Sequence, residues 1–272
     1  MGKPVDFFTD GAKRLYKEMD GFEARGLDKS RAFTDFITMV TCALANPTME
    51  KEYLDVVKRY PRKKNENIGE GAIDIFPRMF AVLVDEMDKV SDEKTDILGD
   101  LFQGAITFGE HGQFFTPDPV CRLMADIVAI GQQINEPYVN DCACGSGRTL
   151  LATARHSPNA IFVGQDIDYR CALMTSINFA LYGLNGYVIW GNTLSWKIWD
   201  VYQISWNGKN ILRKVDPKKF QFPPGCEPKS VESEILEQDH VEISENNISD
   251  KIPKLQKPEK LGQLSLSDFI KT

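Results

Sequence analysis

The sequence predicts an α/β protein: an N-terminal α-helical bundle, then a parallel sheet with crossover helices, then a polar tail. Three observations carry this reading. Apolar residues recur at helical spacing from about residue 28 to residue 110. From Glu136 short β-rich runs alternate with helical ones, the βαβαβ grammar of a parallel sheet. After Arg213 six prolines (Pro217, Pro223, Pro224, Pro228, Pro253, Pro258) break every long period, and the stretch Glu227 to Asp250 is strongly acidic.

In the bundle, Asp28 and Ser30 open a helix whose inner face is Phe33, Phe36, Ile37, Val40 and Leu44. Pro77 suits the first turn of a second helix carrying Phe80, Leu83, Val84 and Met87, and Ile97, Leu98, Leu101, Phe102, Ala105 and Ile106 mark a third. Further on, a capped helix begins near Thr116 or Asp118 with Pro119 in its first turn, and Val120, Leu123, Met124 and Ile127 are expected to face inward. The strands are EPYVND (136 to 141), IFVGQD (161 to 166), YVIWGN (187 to 192) and VYQISW (201 to 206); helices from Arg148 and from Tyr169 to Leu184 separate the first three. The expected domains are residues 1–110 (helical), 111–213 (sheet) and 214–272 (disordered tail).

Composition narrows the function classes. The 272 residues, 42% of them hydrophobic, are enough for real cores. No apolar run approaches the roughly 18 residues a membrane span needs, and MGKPVDFFTDGAKR has no apolar signal core, so a soluble cytoplasmic protein is expected. The six cysteines (Cys42, Cys121, Cys142, Cys144, Cys171, Cys226) form no CxxC pairs, which argues for reduced thiols and no metal site. A net charge of -7 disfavours nucleic-acid binding by bulk positive charge but leaves room for a local basic patch.

The strongest local signal is Asp141-Cys-Ala-Cys-Gly145-Ser-Gly147-Arg148, placed where a strand ends and a helix begins. Glycines there allow tight-turn angles and close backbone approach, and the end-of-strand crevice is the usual ligand site of open α/β sheets. About 25 residues after Asp141, Asp166 ends the second strand, where a carboxylate can accept the hydroxyls of a ribose. It can equally cap the next helix, a task Asp168 also suits. The third strand ends at Gly191-Asn192, so three strand tips carry polar groups.

Taken in order, GQFFTP (112 to 117), DCACGSGR, GQDID and GNTL resemble the cofactor half of adenine-specific DNA methyltransferases related to the modification subunit of type I restriction systems. TDILGDLF (95 to 102) resembles the helix before the first motif, and the likeness spans roughly residues 30 to 195. It implies a Rossmann-like sheet that uses S-adenosyl-L-methionine. Phe115, Thr116 and Pro117 would help hold the methionine end, Asp141, Ala143, Cys144, Gly145, Ser146 and Gly147 would cradle it, Asp166 would take the ribose with Ile167 beside it, and Asn192 would lie near the adenine. The implied substrate is DNA, with methyl transfer to the exocyclic amine of an extruded adenine.

The family's Asn/Asp-Pro-Pro-aromatic tetrapeptide after the fourth strand does not occur here. Asn207, at the end of VYQISW, is the acceptor in the expected region and so the catalytic candidate; Phe222-Pro-Pro-Gly225 has prolines but neither acceptor nor following ring. Too few apolar residues remain for the family's further strands, so the sheet is shortened and the fourth strand should be an exposed edge at the switch point. That motivates a rival reading, a non-catalytic or split cofactor-binding subunit completed by a specificity subunit, a second methylase subunit or a second copy; a third is an enzyme acting on a small molecule.

Three further surfaces stand out. Trp190, Trp196, Trp199 and Trp206 are either a stacking platform or interface, or else strand core (Trp190, Trp206) and turn packing (Trp196, Trp199). Lys58, Arg59, Arg62, Lys63 and Lys64 are either phosphate contacts or a charged interhelical loop. The terminal Gln263, Leu266 and Phe269 resemble a sliding-clamp docking peptide, the other reading being a terminal strand or helix that caps the protein's own sheet.

Overall fold

The computed structural model describes residues 6–107, 115–129, 138–206 and 211–226. Asn207 and the terminal Gln263, Leu266 and Phe269 lie outside the described residues, as does the expected domain boundary at 110.

The helical part comprises α1 (Asp10–Glu23), α2 (Lys29–Leu44), α3 (Glu50–Val57), α4 (Ile75–Lys89) and α5 (Ile97–Leu101), which runs on into a π-helical turn, Phe102–Thr107. The α2 start is as expected: the Asp28 carboxylate accepts the Arg31 N–H at 2.7 Å. Helix α1, not anticipated, is capped by the Thr9 hydroxyl accepting from the Ala12 N–H at 3.1 Å, and it buries Leu15, Met19 and Phe22 at helical spacing. These residues share one continuous core with Phe33, Phe36, Leu98 and Leu101, and that core runs on to Leu150, Phe162 and Phe179 of the sheet region.

That region adds α6 (Asp118–Ala129), β1 (Tyr138–Asp141), α7 (Arg148–Ala154), β2 (Ile161–Asp166), α8 (Tyr169–Leu181), β3 (Asn185–Asn192), β4 (Lys197–Ile204) and β5 (Leu212–Val215). Helix α8 is buried over residues 171–180 because β2 and β3 lie beneath it and α2 lies on top, which is why its sequence has little amphipathic pattern. The five strands lie in the order β1-β2-β3-β4-β5. The first three are parallel, bringing the ends Asp141, Asp166 and Asn192 to one edge.

Three expectations are corrected. The fourth strand begins at Lys197, pairs antiparallel with β3 on the side away from β1, and is followed by antiparallel β5, so among the described residues β4 is an inner strand and the edges are β1 and β5. The connection is only residues 193–196; a parallel crossover needs about a dozen or more. Next, residues 214–226 are not tail: β5 ends at Val215, and Phe220, Phe222 and Cys226 pack against Val163, Ile189 and Val201 on the sheet face opposite the helices. Their apolar content is modest, but it suffices to cover part of one face.

The third correction concerns α6. Val120, Leu123, Met124 and Ile127, expected to face inward, are 43 to 59% exposed. The helix instead packs on α7 through the small Cys121 and Ala125 against Ala152. The Trp readings divide: Trp190 is half-buried against Tyr169 and Trp199, whereas Trp206 lies beyond β4, half exposed, its indole N–H donating to the Ala180 carbonyl at 3.1 Å.

Much of the basic run is committed to structure. Arg59 pairs with the buried Asp35, which also accepts the Tyr60 hydroxyl at 2.7 Å; Arg62 pairs with Asp74, and Lys58 with Asp55 at 2.9 Å. Among the described residues no helix is long and apolar enough to cross a membrane. Because Arg59→Ala leaves the Asp35 carboxylate buried without its countercharge, it should lower stability in urea denaturation by about 1–3 kcal/mol. Lys63→Ala and Lys64→Ala, at exposed positions, should change it by less than about 0.5 kcal/mol.

Candidate functional site

The site grows from the carboxyl ends of β1 and β2. Between β1 and α7 the chain turns through Gly145 and Gly147, at φ +56° and +84°, backbone states that favour glycine. A Cβ on Gly147 would stand 3.0 Å from Thr175 of α8, and one on Gly145 3.1 Å from the Phe115 ring. The turn is therefore pressed between α8 and the 115–117 segment.

Each acidic strand tip has a defined task. The Asp141 carboxylate accepts the Ala143 N–H at 3.1 Å and the Thr149 hydroxyl, closing the turn onto α7. Asp166 accepts the Gly145 N–H and the Asp168 N–H, both at 2.8 Å, linking β2 to the glycine turn. Asp168, not Asp166, caps α8 by accepting the Arg170 N–H at 2.8 Å. Burial pushes the Asp166 carboxyl above the usual carboxylate range, and the two backbone N–H donors oppose that rise.

Behind the turn lies a buried polar junction. Asp96, the cap of α5, accepts the Gly99 N–H at 2.9 Å, Arg148 Nε at 3.1 Å, Asn178 Nδ2 at 3.0 Å and the Ser146 hydroxyl. Arg148 also donates to the Thr116 carbonyl at 3.0 Å, and Asn178 to the Ser146 carbonyl at 2.9 Å. The bundle, the 115–117 segment, α7 and α8 thus meet at one carboxylate.

In front is a small cleft of about 80 Å³ lined by Phe115, Thr116, Cys121, Asp141, Ala143, Cys144, Gly145, Ser146, Arg148 and Thr149. Among the residues foreseen as cofactor contacts, it unites Phe115, Thr116, Asp141, Ala143, Cys144, Gly145 and Ser146. Pro117, Gly147, Asp166, Ile167 and Asn192 are not on its wall. Asp166 is joined to it through Gly145, and Pro117 supplies the carbonyl that opens α6. The Asn192 side chain instead accepts the Ser195 N–H at 3.0 Å and shapes the β3–β4 turn. That turn leans toward the glycine turn, since the Thr193 hydroxyl donates to the Cys142 carbonyl at 2.6 Å. Ile167 is exposed between them, its carbonyl accepting from the Trp190 indole at 3.1 Å.

Arg148, Thr149, Cys121 and Asp96 were not foreseen as site residues. The signal for Asp96 was an acidic residue at the start of an apolar helical run, and for Thr149 a hydroxyl one turn into the helix after the glycines. Burial pushes the Cys121 thiol up to about 11 and raises Cys144 as well, so neither cleft thiol is a nucleophile at neutral pH.

The donor set defines the ligand chemistry that fits. Arg148 is the cation among the lining residues, and it is committed to Asp96 and the Thr116 carbonyl. Beyond Arg148 the wall is carboxylate, carbonyl, hydroxyl and an aromatic ring, which suits ammonium, sulfonium and sugar hydroxyl groups better than phosphates. At about 80 Å³ the cleft has space for an amino-acid-sized group.

Residues 93–211 match the family model described as N-6 DNA Methylase. The type I restriction enzyme MjaVIII methylase subunit of Methanocaldococcus jannaschii is 28% identical over 130 residues, 45% of this chain and 20% of that protein. The type I restriction enzyme MpnII methylase subunit of Mycoplasma pneumoniae is 27% identical over 144 residues, 48% of this chain and 26% of that protein. The chain therefore matches only a fifth to a quarter of these relatives' length. A type I restriction-modification methyltransferase subunit from Streptococcus thermophilus, of known structure, is 18% identical with a TM-score of 0.35, covering 66% of this chain and 57% of that one.

Asp96→Ala leaves the Arg148 guanidinium, 7% exposed, without its countercharge and strips an acceptor from three other donors. A loss of about 3–5 kcal/mol is expected in urea denaturation, against about 1 kcal/mol or less if the junction were incidental.

Proposed function

We propose, from the match of residues 93–211 to the family model described as N-6 DNA Methylase and the similarity to type I methylase subunits, that this chain binds S-adenosyl-L-methionine at the glycine turn and serves adenine-specific DNA methylation. The observation that carries the reading is the juxtaposition of Phe115, Thr116, Asp141 and the Gly145 turn around one cleft, with Asp166 tied to Gly145 at the next strand tip. These come from three separate motifs, and the Asp141 carboxylate and Phe115 ring of the wall, with Asp166 beyond it, suit a ligand that presents an ammonium, a sulfonium and ribose hydroxyls.

In this reading Asp141 and the Thr116 carbonyl hold the ammonium end, and the Phe115 ring faces the sulfonium. Asp166 keeps its remaining lone pairs for the ribose hydroxyls, while exposed Ile167 offers an apolar surface to the adenine. The cofactor supplies an electrophilic methyl group; what this chain contributes is binding, orientation and exclusion of water. The substrate is DNA, and Asn207 remains the acceptor proposed for the amine of the target adenine.

A second reading is favoured by one observation, that among the described residues β1 has no strand on its outer side. Here the chain is a cofactor-binding subunit that needs a further polypeptide beside β1 before it transfers methyl groups. Labelled methyl transfer to DNA by the purified chain, abolished by Asn207→Ala, supports the first reading. Cofactor binding without transfer supports the second.

Isothermal titration with S-adenosylmethionine should give about one site per chain. Asp166→Ala should weaken binding at least tenfold, about 1.4 kcal/mol, without unfolding the protein; a folded wild-type chain that takes up no cofactor contradicts both readings. The pH dependence follows from the raised Asp166 carboxyl. The ionised form accepts the ribose hydroxyls, so affinity should fall on acidification at a pH above the ordinary Asp value of about 3.9. Asp166→Asn should flatten that profile. Asp166 itself stabilises the fold most below about 3.9 and loses that contribution as pH rises through its raised value.

A further inference from the structure

A second cavity lies in the helical part of the chain. It measures about 420 Å³ and is lined by Gly26, Leu27, Asp28, Arg31, Arg59 and Tyr60. Small-molecule sites occupy roughly 300–1,000 Å³ and are usually pre-formed. Local structure fixes these walls. Gly26, at φ +70°, ends α1, and the Gly26 and Leu27 N–H groups donate to the Glu23 and Phe22 carbonyls at 2.9 and 3.0 Å. Past the end of α3 the Arg59 and Tyr60 N–H groups donate to the Val56 and Val57 carbonyls at 2.9 and 3.1 Å.

Two guanidiniums converge on this cavity. Asp35, 2% exposed, accepts the Tyr60 hydroxyl at 2.7 Å and pairs with Nη1 of Arg59, whose side chain stays 44% exposed. Arg31, in the first turn of α2, is exposed and has no ion pair among the described residues. Burial and the bond to Asp35 push the Tyr60 hydroxyl above its usual range, and Arg31 and Arg59 both oppose that rise, so both charges are within electrostatic reach of one hydroxyl. Asp28 adds an acceptor. One of its oxygens takes the Arg31 N–H at 2.7 Å, and the other has no donor among the described residues.

We propose that this cavity binds a small phosphate monoester of a polyol, the class of the sugar phosphates. The three terminal oxygens of such a phosphate can be shared by two guanidiniums, whereas one arginine fork already fills a carboxylate. Asp28 calls for a hydroxyl donor on the same ligand, and its charge is partly offset by the N-terminal end of the 16-residue α2. Over residues 20–35 and 58–74, eight basic side chains face seven acidic ones. Duplex DNA, with one negative charge per about 1.7 Å, is held by unbalanced positive charge; a nearly neutral surface with two guanidiniums at one cavity selects a single small anion by geometry. The inference is independent of the cofactor reading, because this cavity and the glycine-turn cleft share no lining residue.

The test uses the full, isotopically labelled chain, titrated separately with ribose 5-phosphate, glycerol 3-phosphate, inorganic phosphate and ribose while amide resonances are followed. At least one of the two esters should give saturable shifts at Gly26, Leu27, Asp28, Arg31 and Tyr60, and should bind at least tenfold more tightly than inorganic phosphate or ribose. Arg31→Ala should weaken that binding at least tenfold while keeping the wild-type midpoint of urea unfolding. Asp28→Asn, which retains a capping side chain, should weaken the ester and leave inorganic phosphate no weaker. Absence of shifts at these amides with both esters overturns the proposal, as does an ester affinity equal to that of inorganic phosphate, the mark of an unselective anion site. Shifts there with duplex DNA and with neither ester overturn it too, and assign the wall to a nucleic-acid backbone. Titration with S-adenosylmethionine should be the same for wild type and Arg31→Ala, so failure of the cofactor reading would be seen separately.

Discussion

The Asp96 carboxylate is buried at the point where the helical bundle meets the glycine turn, and its polar oxygens are accommodated there because four donors surround them. Those donors are the Gly99 N–H, the Ser146 hydroxyl, Arg148 and Asn178, drawn from α5, the turn, α7 and α8. Charge-assisted hydrogen bonds are short and directional, so satisfying all of them together fixes four elements relative to one another. Arg148 extends the constraint to the Thr116 carbonyl, which places the Phe115 ring over Gly145. The front wall of the cleft is thus held from behind by the bundle, and the helical part of the chain is a structural component of the site.

A division of labour among carboxylates follows. Asp168 caps α8, which releases Asp166 to bind the glycine turn and still face outward; Asp141 closes the turn onto Thr149. The same economy appears in the sheet. Helices cover one face, a short segment ending at Cys226 covers part of the other, and antiparallel β4 and β5 extend the sheet on one side, while among the described residues β1 is the edge strand on the other.

Local pattern made much of this legible. The capped starts of α2 and α8, the strand–glycine turn–helix unit and the acidic tip of β2 were readable because each depends on residues close in sequence. The α6 orientation was not: its apolar stripe reads as a core face, and only the tertiary position, beyond the last covered strand, leaves that stripe in solvent while Cys121 and Ala125 make the contact. The direction of β4 was missed for a different reason, since its start was read at residue 201 instead of Lys197 and the four-residue connection that dictates a hairpin was hidden. Arg148 and Asp96 lie 52 residues apart; nothing local announces a pair at that separation. Of the proposed site residues, those in the turn converge on the cleft, whereas Asn192 is used to shape a loop.

The proposal that the Asp96-supported glycine turn binds S-adenosylmethionine, in a chain whose residues 93–211 match the N-6 DNA Methylase family model, can be tested directly. The most direct measurement is a titration of the isotopically labelled protein with S-adenosylmethionine, followed by amide nuclear magnetic resonance. Saturable shifts concentrated at Ala143, Gly145, Ser146 and Ile167, with α3 and α4 unmoved, are the predicted result. Shifts confined to surfaces away from these amides, or none at saturating cofactor, would contradict the account.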